Sequence, residues 1–362
     1  MGCPQIEKLT VDERMVEEYK VAVITPCYNI EKFSSNKDNL FELNIKSVQN
    51  QTIGYENIEH ILVNDASTDN TKEILDDLSA KWSNIKVFHL KENTGRASLP
   101  RNFGLEHSSA DYVMFLDQDD FFENNTVETL YGYINSNDIN MVASNHYVSD
   151  NNNTMKKNFK SKGNVFLEYN SPDLEDFMTL ISTKMFKKEF LLENNIRFPN
   201  FIGEDSYFNI LCLVNNKKKI LILNDFCSYT YIADNESSLS HRFNKKQITD
   251  SVFAYSSCLD LLKEHNMNEH FISVCYYNAL IMLLGFLIQS EETKENKDEM
   301  FKEVQKFIRE YEENINLEIY WNIMYKLVKN NQKHLFFIIS YFIRQFFESN
   351  WFKKMFRFKK FN

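Results

Sequence analysis

The chain has 362 residues, of which 43% are hydrophobic and 25% are charged, and its formal net charge is −10. The length predicts about two domains, the composition is typical of a soluble globular protein, and the acidic balance disfavours nucleic acid as a partner. The six cysteines form no CxxC pair, which argues against a structural zinc site and against a disulfide framework. Residues 1–20 are polar and lack the apolar core of a signal peptide, so we expect a leader segment and a cytoplasmic protein.

Short apolar runs alternate with helical patterns in the N-terminal part of the chain. Strands are predicted at Val21–Thr25, Ile58–Val63, Ile85–Leu90, Tyr112–Leu116 and Met141–Val148, the first of them ended by Pro26. Helices are predicted between them, at Asn39–Asn50, Thr71–Trp82 and Ser98–Ser108. This alternation predicts an α/β fold with a mainly parallel central sheet, in which ligands bind outside the carboxyl ends of the strands.

Polar side chains follow the first four of these strands, at the positions where a parallel sheet binds its ligands. They are Tyr28, Asp65, Arg96, Asp117 and Asp119. The chain has no GxGxxG after the first strand and no GxxxxGK[ST], which disfavours a dinucleotide site and a P-loop. The convergence therefore predicts a nucleotide site of another kind.

The run Asp117-Gln118-Asp119-Asp120 places three carboxylates within four positions. Their mutual repulsion suggests a compensating divalent cation, because Mg²⁺ and Mn²⁺ take one or two protein carboxylates together with substrate phosphates. The alternative is a solvated acidic turn whose aspartates cap the helix that follows.

The second half of the chain is less regular. A polar loop is predicted at Asp150–Lys162 and a charged amphipathic segment at Ser182–Asn195. The acidic pair Glu204-Asp205 then precedes a helix predicted at Tyr207–Val214. Two short strands follow at Ile220–Leu223 and Tyr229–Ile232, and a second polar loop at Asp234–Phe243. For Glu204 and Asp205, compensation of the helix dipole is the alternative to a catalytic role.

An all-helical region is predicted for residues 246–362, with apolar-periodic segments at 252–263, 271–289, 299–311, 317–329 and 334–348. Ile272–Ile288 is shorter than the ~20 residues that a membrane span needs, so we expect a buried helix. Trp351–Lys360 combines aromatic residues with five cations. That end would contact anionic lipid, hold an anionic polymer, or form the solvated end of a core helix.

Four motifs occur in a characteristic order: Pro-Cys-Tyr-Asn at 26–29, Asn-Asp-Ala-Ser-Thr-Asp at 64–69, Asp-Gln-Asp-Asp at 117–120 and Gly-Glu-Asp at 203–205. Together they resemble the GT-A glycosyltransferases of family 2, over about residues 21–245. The runs 93–105 and 235–241 are similar to staphylococcal wall-teichoic-acid (poly-ribitol-phosphate) N-acetylglucosaminyltransferases. The resemblance implies a GT-A catalytic domain at 21–245, between the leader at 1–20 and the helical C-terminal region at 246–362 that the sequence pattern predicts. Asn64 departs from the pattern, since many relatives have a second aspartate there.

The resemblance also implies residue roles. Asp205 would be the general base, Glu204 would orient the acceptor or the base, and Asp120 would be a third carboxylate at the cation. The implied metal ligands for Mn²⁺ or Mg²⁺ are Asp119, Asp117 and His241, with Arg242 as a further phosphate contact. The implied nucleotide-binding residues are Pro26, Tyr28, Asp65, Asn93, Arg96, Arg101, Asp117 and Gln118.

The expected activity is inverting, metal-dependent transfer of a sugar, with N-acetylglucosamine first, from a UDP-sugar to a hydroxyl of a bacterial surface polymer such as wall teichoic acid or of a lipid-linked glycan. Alternatives are a capsule or lipopolysaccharide transferase that uses another UDP-hexose, a nucleotidyltransferase, and a non-catalytic polymer-binding scaffold. The missing Gly-rich, Lys-bearing loop disfavours the nucleotidyltransferase, and the intact acidic motifs disfavour the scaffold. Some members of the resembled group form oligomers, so a homo-oligomer is also expected. The basic, aromatic end Trp351–Lys360 adds the expectation of a peripheral membrane contact.

Overall fold

The computed structural model describes residues 19–34, 39–150, 153–156, 163–178, 180–232, 244–290, 292–311 and 319–348. The predicted leader (apart from its last two residues), the loop that carries His241 and Arg242, and the basic end Trp351–Lys360 lie outside these ranges.

The described residues form one sheet with helices around it. The strands are β1 (Val21–Cys27), β2 (Ile58–Asn64), β3 (Ile85–His89), β4 (Tyr112–Phe115), β5 (Phe121–Phe122), β6 (Met141–Asp150), β7 (Asn153–Lys156), β8 (Asn164–Leu167), β9 (Lys184–Lys187) and β10 (Ile220–Ile232). The helices are α1 (Glu31–Ser34), α2 (Leu40–Gln49), α3 (Thr71–Lys81), α4 (Ser98–His107), α5 (Thr126–Ser136), α6 (Lys188–Glu193), α7 (Glu204–Asn215), α8 (Lys245–Glu264), α9 (Glu269–Gln289), α10 (Lys294–Glu310), α11 (Ile319–Lys329) and α12 (Lys333–Glu348).

The strand order is β3-β2-β1-β4-β9-β6-β10-β5, with β7 beside β6 and β8 beside β10. Strand β1 is parallel to both β2 and β4, and β2 is parallel to β3, as the alternating pattern predicts. Strand β9 is antiparallel to both of its neighbours. The sheet is therefore mixed and mostly parallel in the half that the four N-terminal strands build.

Strand β1 is buried along its whole length because the sheet is covered on both faces. Its side chains alternate between two hydrophobic clusters, Ala22 and Ile24 in one, Val21 and Val23 in the other. Helix α4 packs against it at Gly104, where a Cβ atom would lie 2.4 Å from Cγ2 of Ile24. Glycine at this position therefore allows α4 to approach β1 closely.

Two expectations about strand ends are wrong. Pro26 does not end β1, which continues to Cys27 with Pro26 opposite Val63 of β2. Strand β4 pairs with β1 only as far as Ile24, so Pro26 lies where β1 has one neighbouring strand and its missing N–H is tolerated. The two short strands predicted at Ile220–Leu223 and Tyr229–Ile232 are a single strand, β10, whose register shifts between Leu223 and Cys227. Such a bulge accommodates polar residues that interrupt an apolar run.

Two segments contain strands that the sequence pattern did not indicate. The amphipathic segment Ser182–Asn195 contains β9 followed by α6, and Lys184 in β9 is fully buried. Its ammonium group donates to the carbonyl oxygen of Leu180 at 2.9 Å. The polar stretch predicted as a loop at Asp150–Lys162 begins with a hairpin of β6 and β7.

The described part of the C-terminal region is all-helical, as predicted. A single hydrophobic cluster runs from Ile24 of β1 through Phe208 of α7 to Leu259, Leu283 and Phe307 of α8, α9 and α10. This cluster crosses the expected boundary at residue 245, and the division into domains stays a prediction.

Among the described helices, α9 is long and apolar enough to cross a membrane by length and composition, with a mean hydropathy of 2.1. In the structure, 56% of its most apolar window is buried inside the protein. Phe271 and Leu283 of this helix are fully buried in the core, which agrees with the prediction of a buried helix.

Candidate active site

The loops after β1 and β4 meet at the carboxyl edge of the sheet and are joined by one side chain. The backbone N–H of Tyr28 donates to Oε1 of Gln118 at 2.7 Å, and Nε2 of Gln118 donates to the carbonyl oxygen of Tyr28 at 3.1 Å. Gln118 therefore fixes the first loop against the acidic loop. The side chain of Tyr28 remains 36% exposed, which leaves a surface on which a base could stack. Its predicted nucleotide contact, and that of Gln118, stay predictions.

Asp65, at the end of β2, is buried and held by the loop that follows β3. The backbone N–H and the hydroxyl of Thr94 donate to its two carboxylate oxygens at 2.9 and 3.0 Å. Nδ2 of Asn93 donates to the backbone oxygen of Asp65 at 2.8 Å. Burial raises the pKa of Asp65, while the bonds from Thr94 oppose that rise. The structure thus brings Asp65 and Asn93 together, and their nucleotide contacts stay predictions.

Asn64, the departure from the family pattern, has a local structural role. Its Oδ1 atom accepts from the backbone N–H of Ser67 at 3.0 Å and from the hydroxyl of the same residue at 2.6 Å. That hydroxyl in turn accepts from the backbone N–H of Asn29 at 3.0 Å. Asn64 therefore shapes the loop between Asp65 and α3.

Arg101 on α4 joins the two acidic motifs. Its Nη2 atom lies 2.5 Å from Oδ1 of Asp117, and its Nη1 atom lies 2.8 Å from Oδ1 of Asp205 and 3.5 Å from Oε1 of Glu204. Only 3% of the Arg101 side chain is exposed, against about a fifth to a third for its partners. A buried guanidinium with three carboxylates is the electrostatic centre of the site. Its predicted diphosphate contact stays a prediction, because the structure gives the guanidinium these other partners.

Aromatic packing fixes the guanidinium of Arg101 from the other side. Its Cζ atom lies 5.2 Å from the centre of the Phe198 ring, within cation–π range. Phe198 stacks on Phe208 of α7 with ring centres 3.9 Å apart. The helix that carries Glu204 and Asp205 and the helix that carries Arg101 are therefore held in register by the core.

The pKa directions follow from burial and from this shared charge. Burial lowers the pKa of Arg101, but Asp117, Asp205 and Glu204 raise it by more, so the guanidinium stays charged. Burial and the neighbouring Asp205 raise the pKa of Glu204 to about 7, against the opposing effect of Arg101. Burial also raises the pKa of Asp205, and Arg101 again opposes the rise. Carboxylates with raised pKa values in a cleft are suited to proton transfer near neutral pH.

Asp120 has a role that differs from both sequence interpretations. The hydroxyl of Tyr229 donates to its Oδ2 atom, and the backbone N–H of Ile232 donates to Oδ1 at 2.7 Å. Burial, followed by repulsion from Asp119 and Asp117, raises the pKa of Asp120 well above its usual range. Both carboxylate oxygens of Asp120 are thus engaged by the end of β10, and neither of them caps a helix or is left for a cation. It attaches the acidic loop to the end of β10.

Asn44 on α2 is a residue that sequence reasoning missed. Its Nδ2 atom donates to the backbone oxygens of Asp117 and Asp120, each at 2.8 Å. The side chain is fully buried on a face that otherwise carries Phe41, Ile45 and Val48. A polar residue on an apolar helix face is the signal that could have identified it.

The predicted cation site can be tested only in part, because His241 lies outside the described residues. Within the part of the chain that the structure describes, no three His, Cys, Asp or Glu side chains are close enough to hold a metal ion. Asp117 and Asp119, which follow β4, still supply two carboxylates at the edge of the sheet where a nucleotide is predicted to bind. That donor set fits a cation that takes its remaining oxygens from substrate phosphates.

Helix α8 forms the side of the site opposite the sheet. Nη2 of Arg96 lies 3.1 Å from Oδ2 of Asp250, so the loop after β3 is tied to this helix. At Gly203, which adopts a φ of +85° directly before Glu204, an added Cβ would lie 3.4 Å from Cβ of Ala254. The first helix of the C-terminal region thus borders both the predicted donor side and the acidic pair.

Comparisons with known proteins agree with this architecture. Residues 22–192 match the family model described as glycosyl transferase family 2. The chain is 34% identical over 234 residues to the poly(ribitol-phosphate) beta-N-acetylglucosaminyltransferase TarP of Staphylococcus aureus. The matched segment covers 62% of this chain and 69% of that protein. It is 30% identical over 272 residues to an uncharacterized glycosyltransferase of Haemophilus influenzae, which covers 74% of this chain and 96% of that protein.

Solved structures share the fold. The S. aureus TarS 1-349 structure in complex with UDP-GlcNAc matches with a TM-score of 0.69 at 20% identity, over 90% of this chain and 92% of that one. The mannosyltransferase PcManGT of Pyrobaculum calidifontis, in complex with GDP-Man and Mn²⁺, matches with a TM-score of 0.51 at 14% identity, over 92% and 89%. The GT-A prediction is confirmed by these likenesses and by the family match. The chain is a glycosyltransferase and belongs to glycosyl transferase family 2.

Proposed function

We propose that this enzyme transfers N-acetylglucosamine from UDP-N-acetylglucosamine to a hydroxyl of a poly(ribitol phosphate)-type polymer. The observation that carries the proposal is that one guanidinium, that of Arg101, pairs both with Asp117 after β4 and with Asp205 at the start of α7. Two S. aureus relatives, TarP and TarS, are poly(ribitol-phosphate) beta-N-acetylglucosaminyltransferases by name, at 34% and 28% identity.

On the donor side, the nucleoside would lie at the edge formed by Tyr28 and Asp65. Tyr28 offers an exposed ring, and Asp65 offers carboxylate oxygens already oriented by Thr94. Arg96 lies at the same edge, where a guanidinium can bind phosphate oxygens through paired N–H groups. In the structure the guanidinium of Arg96 pairs with the carboxylate of Asp250. Donor binding would therefore replace this carboxylate by a phosphate group.

On the acceptor side, Asp205 would accept the proton of the attacking hydroxyl, and Glu204 would orient that hydroxyl. Arg101 keeps Asp205 in place and opposes the rise of its pKa, which favours the charged, proton-accepting form. A single base opposite the leaving diphosphate implies one displacement and inversion. The word "beta" in the names of the relatives supports this, because UDP-N-acetylglucosamine carries an α linkage.

Asp117 and Asp119 would hold the divalent cation, Mn²⁺ or Mg²⁺. When bound, such an ion neutralises the charge that develops on the leaving diphosphate. Two side chains hold this loop in place. Asp120 accepts from the hydroxyl of Tyr229 and from the backbone N–H of Ile232. Asn44 donates to the backbone oxygens of residues 117 and 120. Their part is to fix the backbone on which the two cation-binding carboxylates stand.

A cytoplasmic location with contact to the inner membrane face is part of the same proposal. Its support is the sequence Trp351–Lys360, whose aromatic residues and cations suit an anionic lipid surface. Sedimentation with vesicles of phosphatidylglycerol, compared with phosphatidylcholine vesicles, would test it. Equal partition to both would exclude an electrostatic contact. The homo-oligomer stays a prediction that light scattering can test.

The first experiment is release of UDP from a panel of UDP-sugars, with and without Mn²⁺. The panel contains UDP-N-acetylglucosamine and UDP-glucose, because a Bacillus spizizenii relative at 28% identity is a poly(ribitol-phosphate) beta-glucosyltransferase by name. It also contains UDP-galactose and UDP-N-acetylgalactosamine. Metal-dependent release from one donor would identify the sugar.

Two variants accompany the wild type in that assay. Asp119→Ala is expected to abolish metal-dependent release, whereas Asp138→Ala, at a carboxylate that is 84% exposed, is expected to behave as wild type. Release that is equal with and without metal, or unchanged in Asp119→Ala, would exclude the cation assignment. Absence of UDP binding by calorimetry would favour the scaffold alternative.

The acceptor is tested with the donor so identified. Poly(ribitol phosphate), poly(glycerol phosphate) and a lipid-linked glycan are offered in parallel, and the labelled sugar is followed into polymer. Transfer to poly(ribitol phosphate) above the other two is the expected result. Transfer only to the glycan would favour the capsule or lipopolysaccharide alternative.

A further inference from the structure

The first turns of α8 lie along the active site and contact both of its sides. Asp250 pairs with Arg96 at 3.1 Å. One turn later, Ala254 is within van der Waals contact of the Gly203 position, which immediately precedes Glu204 and Asp205. Residues three and four apart share one face of a helix, so this face of α8 is the face turned toward the site.

Phe253 lies between these two contacts and is 58% exposed. Its ring meets the ring of Phe201 edge to face, with centres 5.3 Å apart and planes at 89°. Phe201 meets Tyr207 in the same way, at 5.2 Å and 80°. We call these three residues the aromatic rim. A single exposed phenylalanine is ordinary on a protein surface, but this one belongs to a line of rings whose other two members stand on either side of the acidic pair in the sequence.

The position of the aromatic rim separates it from the predicted donor site. Phe201 precedes Glu204 and Tyr207 follows Asp205, so both rings are carried by the chain segment that bears the predicted base. Tyr28 and Asp65, the predicted nucleoside contacts, belong instead to the loops after β1 and β2. A group that rests on the side of Phe253 that meets Phe201 would therefore lie beside the segment that bears the predicted base, which is the side where we place the acceptor.

The chemistry of an aromatic face selects which part of an acceptor it binds. The face of a ring carries partial negative charge, so it repels phosphate and attracts the weakly positive C–H groups of a polyol or sugar. Burial of those C–H groups also removes apolar surface from water. The ring therefore suits the carbon chain of one repeat unit and disfavours the phosphates on either side of it.

We propose that Phe253, supported by Phe201, binds the polyol or sugar unit of the acceptor through its C–H groups and presents its hydroxyl to Asp205. This inference rests on the proposed function, because it takes Asp205 as the base. It assigns to the C-terminal helical region a direct part in acceptor binding, through a residue that none of the sequence motifs contains.

The test compares Phe253→Ala, Phe253→Tyr and wild type with poly(ribitol phosphate) as the varied substrate. The alanine variant is expected to raise KM for the polymer about threefold to tenfold, in line with the loss of one aromatic contact. The tyrosine variant keeps the ring and is expected to restore a KM within about twofold of wild type. Phe166→Ala, at a phenylalanine that is 47% exposed on β8, is the matched control and is expected to leave this KM unchanged.

A merely structural role of Phe253 would have a different signature. The dissociation constant of UDP, measured by calorimetry, and the melting temperature are expected to be the same in Phe253→Ala and in wild type. If Phe253→Ala leaves KM for the polymer unchanged, or if it changes UDP affinity and polymer KM equally, the proposal is wrong.

A binding measurement makes the test independent of turnover. Phe253→Trp places a fluorophore in the aromatic rim, and Phe166→Trp places one at the control position. Titration with poly(ribitol phosphate) and with a lipid-linked glycan, in the presence of UDP, is expected to give a saturable change only in Phe253→Trp. No saturable change with either acceptor overturns the inference. Saturable binding without transfer by wild type instead counts against the proposed function alone.

Discussion

The two acidic segments of this enzyme have similar composition and very different surroundings. In the loop after β4, Asp117 pairs with Arg101, while Asp120 is buried and accepts hydrogen bonds from Tyr229 and Ile232. At the start of α7, both carboxylates face the same guanidinium and are partly exposed. One segment therefore combines a structural aspartate with predicted cation ligands, whereas the other presents both of its carboxylates to the site.

The difference shows that an acidic motif in a sequence does not state the role of each carboxylate. The role is set by the partner, and the partners of these residues lie far away in the chain. Among the residues that the structure describes, Arg101 contacts both segments, so substitutions at and around it can separate their roles.

The largest effect is expected for Arg101→Met, which removes the positive charge common to both segments. Three carboxylates would then face one another in a poorly solvated site. Loss of one member of a buried ion pair costs about 3–5 kcal/mol in the free energy of unfolding. Sugar transfer is also expected to fall at least about a thousandfold, because the base loses its orientation. Urea denaturation and UDP release measure the two effects.

The matched control for Arg101→Met is Lys218→Met, which breaks the exposed pair between Lys218 and Asp138 at 2.5 Å. Exposed pairs contribute about 0–1 kcal/mol, so this variant should be close to wild type. If Arg101→Met were as stable and as active as Lys218→Met, the shared-guanidinium description of the site would be wrong.

Asp205→Asn is expected to lower kcat about a hundredfold to ten-thousandfold, the usual contribution of a general base. The amide keeps the size of the side chain but cannot accept the acceptor's proton. Because we place Asp205 on the acceptor side, the dissociation constant of UDP should change little. Asp225→Asn, at an exposed carboxylate, serves as control. Weakened UDP binding with unchanged kcat would instead place Asp205 on the donor side.

Asp120→Ala is expected to affect stability more than chemistry. It leaves the hydroxyl of Tyr229 and the N–H of Ile232 without their acceptor, at a cost of about 1–3 kcal/mol. Asp120→Asn retains an oxygen for Ile232 and should recover most of that loss. Thermal melting and kcat, measured together, check this. A loss of metal-dependent activity without any loss of stability would return Asp120 to the cation site.

The smallest expected effect is a pH dependence at Glu204. Its pKa in the folded protein is raised from 4.5 to about 7, so the folded state binds this proton more tightly than the unfolded state does. The resulting stability is fully present below about pH 4.5 and is lost as the pH rises through about 7. The amide of the Glu204→Gln variant does not titrate in this pH range, so its stability lacks this pH dependence.

The measurement for Glu204 is the free energy of unfolding of both proteins between pH 5 and pH 8. The stability of Glu204→Gln relative to wild type should rise with pH by about 1–2 kcal/mol, since part of the group is solvated. A constant difference across this range would mean that Glu204 has no raised pKa in the folded protein.

The sequence predicted the N-terminal sheet well because each of its strands is a continuous apolar run with a polar loop at its end. It failed at β9, where four residues include two lysines, one of them, Lys184, fully buried. It failed also at β10, where a bulge places polar residues inside one strand. Both errors come from reading local hydrophobicity where packing across the sheet decides the structure.

For the site, the four motifs indicated the segments whose acidic side chains the structure brings together on Arg101, and the nucleoside contacts stay a prediction. They did not indicate that Arg101 connects the acidic segments, because that contact depends on the close packing of α4 at Gly104. Asn44 and Phe253 were not indicated either. Each acts through a residue of a distant segment, and a single sequence contains no signal for such a pairing.

The hydrophobic cluster that passes from β1 through α7 into α8, α9 and α10 has a consequence for how the chain folds during synthesis. A ribosome that has completed β10 has produced every described strand of the sheet, yet Phe208 and its neighbours still lack the surface that α8 to α10 provide. Apolar surface of this kind is prone to aggregate while it waits for its partner. The catalytic half should therefore reach its native state only after the helical segments emerge, and a truncation at residue 245 should be recovered as insoluble protein.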